Sequence, residues 1–152
     1  RAFGFGVVHI LELLDQLRSS RRLRLDGVDE ERITFHDPCY LSRHNGIESE
    51  AREVLSALGE LREMPRTRKQ SFCCGAGGGR IWMETPKGER FSDLRLEQAT
   101  QIGAEVLVTS CPYCITHFEE SRLALADSHN QDPADGNVIE IKDLTEIIQE
   151  VI

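Results

Sequence analysis

Apolar positions recur along this chain with two different periods. From Ile47 to Leu58 they fall at Ile47, Ala51, Val54, Leu55 and Leu58, three or four residues apart or adjacent, which gathers them on one helical face. Gly59 follows as a predicted C-cap. Similar spacing predicts helices over Leu11–Leu17, Phe91–Ile102 with Gly103 closing it, Ile115–Ala126 and Leu144–Ile152. Short β-rich runs lie between them. Ile33–Phe35, Glu60–Pro65, Glu105–Ser110 and Val138–Ile141 are predicted strands, and Val7–Ile10 a further one before the first helix. Of these, Glu105–Ser110 is the clearest, and it runs directly into Cys111. Ser71–Gly79 and Ser128–Asn137 read as loops.

Strands alternating with helices imply right-handed crossovers, and so an α/β fold of three layers: a mainly parallel sheet with helices on both faces. In such sheets the functional loops collect at the carboxyl ends of the strands. Cys39, the Cys73-Cys74 pair and the Cys111/Cys114 pair each follow a predicted strand, so the topology can bring all five cysteines of the chain to one rim. Residues 1–152, with 39% apolar content, suit one domain with its own core. No apolar run reaches the length of about 18 residues that a bilayer span requires. The net charge of −8 argues against a general nucleic-acid binder. The basic run Arg18–Arg24 and the group Arg62, Arg66, Arg68 and Lys69 read as solvated faces, with docking on an acidic redox partner as the lesser alternative. The chain begins at Arg1 without a visible signal peptide and is expected to be a segment of a longer protein.

The cysteines carry the chemistry. Cys39 stands alone, separated by 33 residues from Cys73-Cys74-Gly75, and 35 residues separate Gly75 from Cys111-Pro112-Tyr113-Cys114. An odd count excludes complete internal pairing, and free thiols at this spacing fit a reducing cytoplasm. A Cys-x-x-Cys pair by itself is compatible with zinc, iron–sulfur or dithiol chemistry. Adjacent Cys73 and Cys74 tilt the balance toward a cluster, because neighbouring side chains diverge and seldom share one tetrahedral ion. Gly77–Gly79 leave backbone N–H groups free to face charged sulfur, and Pro38 and Pro112 stiffen two of the loops. Cys114 is expected at a helix start, where the dipole favours thiolate. His36 and His117 are expected to be hydrogen-bonding or structural groups more than ligands, and Trp82 and Met83 to pack into the core. No acid–base dyad or nucleophile motif stands out, so no catalytic side chain is named.

Three segments, Phe35–Leu41, Phe72–Gly79 and Cys111–Cys114, together resemble the cysteine-rich CCG domain. That domain occurs in the B and D subunits of heterodisulfide reductase and in iron–sulfur subunits of glycolate oxidase and anaerobic glycerol-3-phosphate dehydrogenase. The resemblance implies that Cys39, Cys73, Cys74, Cys111 and Cys114 hold a noncubane iron–sulfur cluster or a 4Fe-4S cluster, with zinc as the alternative. It also implies a C-terminal domain of a larger oxidoreductase that relays electrons and reduces a disulfide-like or quinone-linked acceptor. Partners would be a ferredoxin-like or flavin module of a redox complex, in the cytoplasm or on the cytoplasmic side of a membrane complex. A zinc-stabilised docking domain and a metal-free thiol–disulfide exchanger are the competing readings. An air-exposed preparation is expected to lose metal and keep its three-layer fold.

Overall fold

The computed structural model describes residues 4–25, 32–86, 88–128 and 138–152. Four strands, β1 (Arg32–Phe35), β2 (Glu60–Leu61), β3 (Val106–Thr109) and β4 (Glu140–Asp143), form one sheet in the order β2-β1-β3-β4. Every pairing is parallel, and the central register sets Ile33, Thr34 and Phe35 beside Val106, Leu107 and Val108. This order makes β1 and β3 neighbours although β2 lies between them in the chain. Connections therefore leave in opposite directions from the carboxyl ends of β1 and β3, which creates a crevice at that point.

Alternation along β1 and β3 assigns the two hydrophobic layers. Ile33, Phe35, Val106 and Val108 pack against α1 (Ile10–Ser19), α2 (Glu50–Leu55) and α5 (Leu144–Glu150). On the opposite face, Leu107 and Ile141 pack against Leu96 and Ala99 of α3 (Phe91–Gln101) and Phe118 of α4 (Pro112–Ser128). Both faces of the sheet are thus covered, as a parallel sheet requires.

Local chemistry accounts for several boundaries. Val7–Ile10 is not a strand: His9 Nδ1 accepts the Leu11 N–H (3.2 Å), Glu12 accepts the His9 N–H (2.8 Å), and this capping box starts α1 at Ile10. Val7 and Val8 are left exposed ahead of it. The second helix is shorter than its apolar spacing predicts. It ends at Leu55 with Ser56 as C-cap, and Gly59 follows in a turn without a left-handed φ. Gly103 does take a left-handed φ of 69° after α3; its N–H bonds the Thr100 carbonyl and that of Ala104 the Ala99 carbonyl, a Schellman closure. The strand expected over Glu60–Pro65 pairs only through Glu60 and Leu61. Trp82 and Met83 do not enter the core, being 86% and 62% exposed beside the glycine loop. Of the loop expected over Ser128–Asn137, Ser128 ends α4 and residues 129–137 lie outside the described residues.

Candidate metal centre

The cysteine loops leave the crevice between β1 and β3. Just past β1, the His36 N–H still bonds the Val108 carbonyl (2.8 Å), and Thr109 Oγ1 donates to the His36 carbonyl (3.1 Å). The Pro38 carbonyl accepts from the N–H groups of Leu41 and Ser42 and from Ser42 Oγ, turning the chain into a single π-helical turn over Tyr40–His44. Cys39 stands at the head of that turn. After β3, Cys111 precedes α4, which opens on Pro112, a residue whose fixed φ suits the first helical position.

Asp37 fixes the first loop. Arg52 on α2 grips its carboxylate with Nη1 to Oδ1 (2.7 Å) and Nη2 to Oδ2 (2.8 Å), and the Arg68 N–H adds a third donor to Oδ2 (2.7 Å). Both side chains are buried. Burial works against its charge, but the hydrogen bonds that Arg52 donates to Asp37 and Glu63 outweigh it and raise the pKa, so the guanidinium stays charged. Arg43, on the π-turn, donates to the Lys69 carbonyl (3.0 Å) and to that of Ser71, tying the Cys39 turn to the segment that leads into Cys73.

Cys74 and Cys114 are buried with their sulfurs 3.1 Å apart, and Cys39, Cys73 and Cys111 are half-buried. The ligand atoms of His36, Cys74 and Cys114 lie within 4.8 Å of one another. Proton-sharing polarises the thiols. Hydrogen bonds from Cys114 and Cys73, helped by His36 and the Ala76 N–H, hold Cys74 far below an ordinary thiol against the opposing effect of burial. Cys111 falls to about 6, first through the Cys114 thiol and then, against burial, through the Cys114 and Tyr113 N–H groups at the start of α4. Cys73 and Cys114 move the other way because they donate to those thiolates and are desolvated. Burial lowers the His36 pKa, and its hydrogen bond to Cys74 opposes this only in part, so the imidazole is neutral and able to ligate.

The structure brings Cys74 and Cys114 into contact beside His36; Cys73 and Cys111 adjoin them in the chain, and Cys39, at the head of the π-turn, lies outside that compact group. This donor set of soft thiolates, one buried imidazole and inward N–H groups such as that of Gly75, 3.4 Å from Cys73 Sγ, has the chemistry of a zinc or iron–sulfur site. His36 is the hydrogen-bonding neighbour of the thiols that the sequence leads one to expect, through its bond to Cys74. Sequence reasoning missed Asp37 and Arg52; only the polar Asp37 immediately before Pro38-Cys39 hinted at an anchored loop.

A family model for the cysteine-rich domain, CCG, matches residues 33–119. The probable iron-sulfur-binding oxidoreductase FadF of Bacillus subtilis is 44% identical over 118 residues, covering 75% of this chain and 17% of that protein. EtfAB:quinone oxidoreductase of Syntrophomonas wolfei is 36% identical over 121 residues, covering 74% and 17%. The D subunit of the dihydromethanophenazine:CoB–CoM heterodisulfide reductase of Methanosarcina barkeri is 29% identical over 150 residues, covering 97% and 34%. The chain thus spans between about a sixth and a third of the length of these relatives. With more than half its residues inside the family match, and the three cysteine segments within it, this chain belongs to the CCG cysteine-rich domain family.

Proposed function

We propose that this chain is one iron–sulfur domain of a larger oxidoreductase, in which Cys39, Cys73, Cys74, Cys111 and Cys114 hold the cluster. The observation that carries this reading is the buried contact between Cys74 and Cys114, 3.1 Å apart, with Cys73 and Cys111 adjoining them in the chain. The names of the relatives, an iron-sulfur-binding oxidoreductase, a quinone oxidoreductase and part of a heterodisulfide reductase, support it. When bound, the cluster supplies one-electron transfer. The chain's own residues hold the loops: Asp37 and Arg52 lock the Cys39 loop, Gly75 aims its N–H at Cys73, and the start of α4 directs N–H groups at Cys111. Five thiols exceed the four that a 4Fe-4S cubane takes, which favours the noncubane form. Electrons would enter or leave through a ferredoxin-like or flavin module of the same complex and reach a disulfide-like or quinone-linked acceptor, on the cytoplasmic side of the membrane if the complex is anchored there. Among the described residues no helix is long and apolar enough to cross a membrane.

A second reading, a zinc-stabilised docking domain, rests on the compact His36, Cys74 and Cys114 group. Purification of the intact protein without oxygen separates the two. Iron and acid-labile sulfide, with a charge-transfer absorption band and an EPR signal in one redox state, are expected; stoichiometric zinc without iron overturns the cluster. Cys39→Ser then tests its form, since a five-thiolate cluster loses iron or changes its EPR signature on this exchange, whereas a cubane held by the other four keeps both.

A further inference from the structure

The basic group between Arg62 and Lys69 divides in two in the fold. Arg62 pairs with Glu60 (3.0 Å). Arg66, Arg68 and Lys69 stay exposed, and Arg43, exposed on the π-turn headed by Cys39, joins them by donating from Nε to the Lys69 carbonyl (3.0 Å). None of these four cations pairs with a carboxylate among the described residues, whereas Arg18, Arg32, Arg90 and Lys142 each do. The acids that adjoin the segment are already matched. Arg52 bonds both Asp37 and Glu63, and buried Arg95, which donates to the Pro65 carbonyl (2.7 Å), is a second cation beside them. Four positive charges are thus left facing solvent on a chain of net charge −8.

The backbone singles out two of them. Arg66 and Arg68 have φ angles of 56° and 59°, in the left-handed region that a residue with a Cβ avoids and glycine enters freely. No ion pair within the described residues offsets that conformation; Arg66 only lies over the Phe72 ring, 6.0 Å from its centroid. Strain kept at exposed cations without an internal partner points to a contact made outside the chain. Their position indicates with what. Asp37 accepts the Arg68 N–H (2.7 Å) and Arg43 donates to the Ser71 carbonyl, so the patch is built on the loops that carry Cys39 and lead into Cys73. Tyr40, 73% exposed on the same π-turn, adds an aromatic anchor of the kind found at the centre of protein interfaces. Four charges fit the footprint of a small protein, whereas a longer polyanion would run on into the acidic remainder of the chain.

We propose that Arg43, Arg66, Arg68 and Lys69 form the docking surface for an acidic, ferredoxin-type electron-carrier protein, seated beside the Cys39 and Cys73 loops. That the docked protein exchanges electrons there rests on the cluster reading; the docking itself does not. Charges at the edge of such an interface act mainly on the rate of encounter.

Biolayer interferometry of the intact, anaerobically purified protein against a purified acidic plant-type ferredoxin tests this. Saturable binding is expected, weakening as sodium chloride is raised to physiological ionic strength. Arg66→Gln/Arg68→Gln is expected to lower kon about tenfold and to change koff little. Arg22→Gln/Arg24→Gln, which removes the same two charges from exposed positions after α1, leaves both rates unchanged. Arg66→Gly/Arg68→Gly is expected to lose docking equally with no fall in melting temperature, since glycine relieves the left-handed backbone. Absence of ferredoxin binding, binding indifferent to salt, a glycine pair that docks normally, or an equal loss in the Arg22/Arg24 pair overturns the proposal. So does salt-sensitive capture by phosphatidylserine vesicles in place of ferredoxin. Metal analysis of the same samples keeps the two readings apart: protein that holds zinc and no iron yet docks ferredoxin refutes the cluster and leaves the surface standing, and iron-loaded protein that fails to dock does the reverse.

Discussion

At the scale of single residues, the centre is shaped as much by its supports as by its thiols. Arg52 and Asp37 form a bidentate pair with side-chain exposures of 7% and 1%, so removing one partner strands a buried charge. Arg52→Met is expected to destabilise the protein by about 3–5 kcal/mol in denaturant titration, more than exposed Arg22 would cost. Among the thiols, the Cys111 value of about 6 predicts an order of reaction. In metal-free protein, iodoacetamide is expected to modify half-exposed Cys111 first, at a rate that rises through about pH 6, as peptide mapping by mass spectrometry can follow. The sign of the linked stability follows from the same shift. A thiol lowered from 9.0 to about 6 contributes stability fully present above its unfolded value and lost as the pH falls through its folded one, so the metal-free protein should weaken on acidification through that window. The cysteines stood out in the sequence because they fall in three short motifs, each readable by itself. The Asp37–Arg52 pair was not, because nothing in the pattern tells a buried arginine from a solvated one.

At the scale of elements, the pattern of apolar positions identified β1, β3 and the helices α1 and α3 to α5. It failed where other forces decide. At Val7–Ile10 a β-branched run precedes a His9–Glu12 capping box, and the cap wins because no neighbouring strand is there to pair with the run. Trp82 and Met83 follow a glycine turn that reaches away from the sheet, so their apolarity does not bury them. The rim itself was foreseeable, since loops at carboxyl ends of parallel strands converge whichever strand order is adopted. The order β2-β1-β3-β4 was not, because edge and centre differ only by a few side chains. Short α5 depends on Asp143, which accepts the Thr145 N–H (2.9 Å) while Glu146 accepts the Asp143 N–H (2.6 Å). Asp143→Ala is expected to cost about 1 kcal/mol, visible as a lowered melting temperature with unchanged iron content.

For the whole molecule, two separate hydrophobic layers hold the sheet, and only the one on the α3–α4 side includes cysteines, Cys74 and Cys114 in its buried part. Chelation of the metal should therefore leave the far-ultraviolet circular dichroism spectrum nearly intact. Hydrogen exchange should stay slow in β1 and β3 and quicken across residues 71–83; loss of protection in β1 would contradict this division of labour. Past Arg62, whose N–H still bonds the Ile33 carbonyl, the segment up to α3 has no strand among the described residues. This segment supplies Cys73 and Cys74, the glycine turn and exposed Trp82. A lineage can lengthen, trim or rewrite such an excursion without disturbing strand pairing, provided the two sulfurs stay anchored, so one ancestral framework can acquire new clientele by editing a single stretch of its gene.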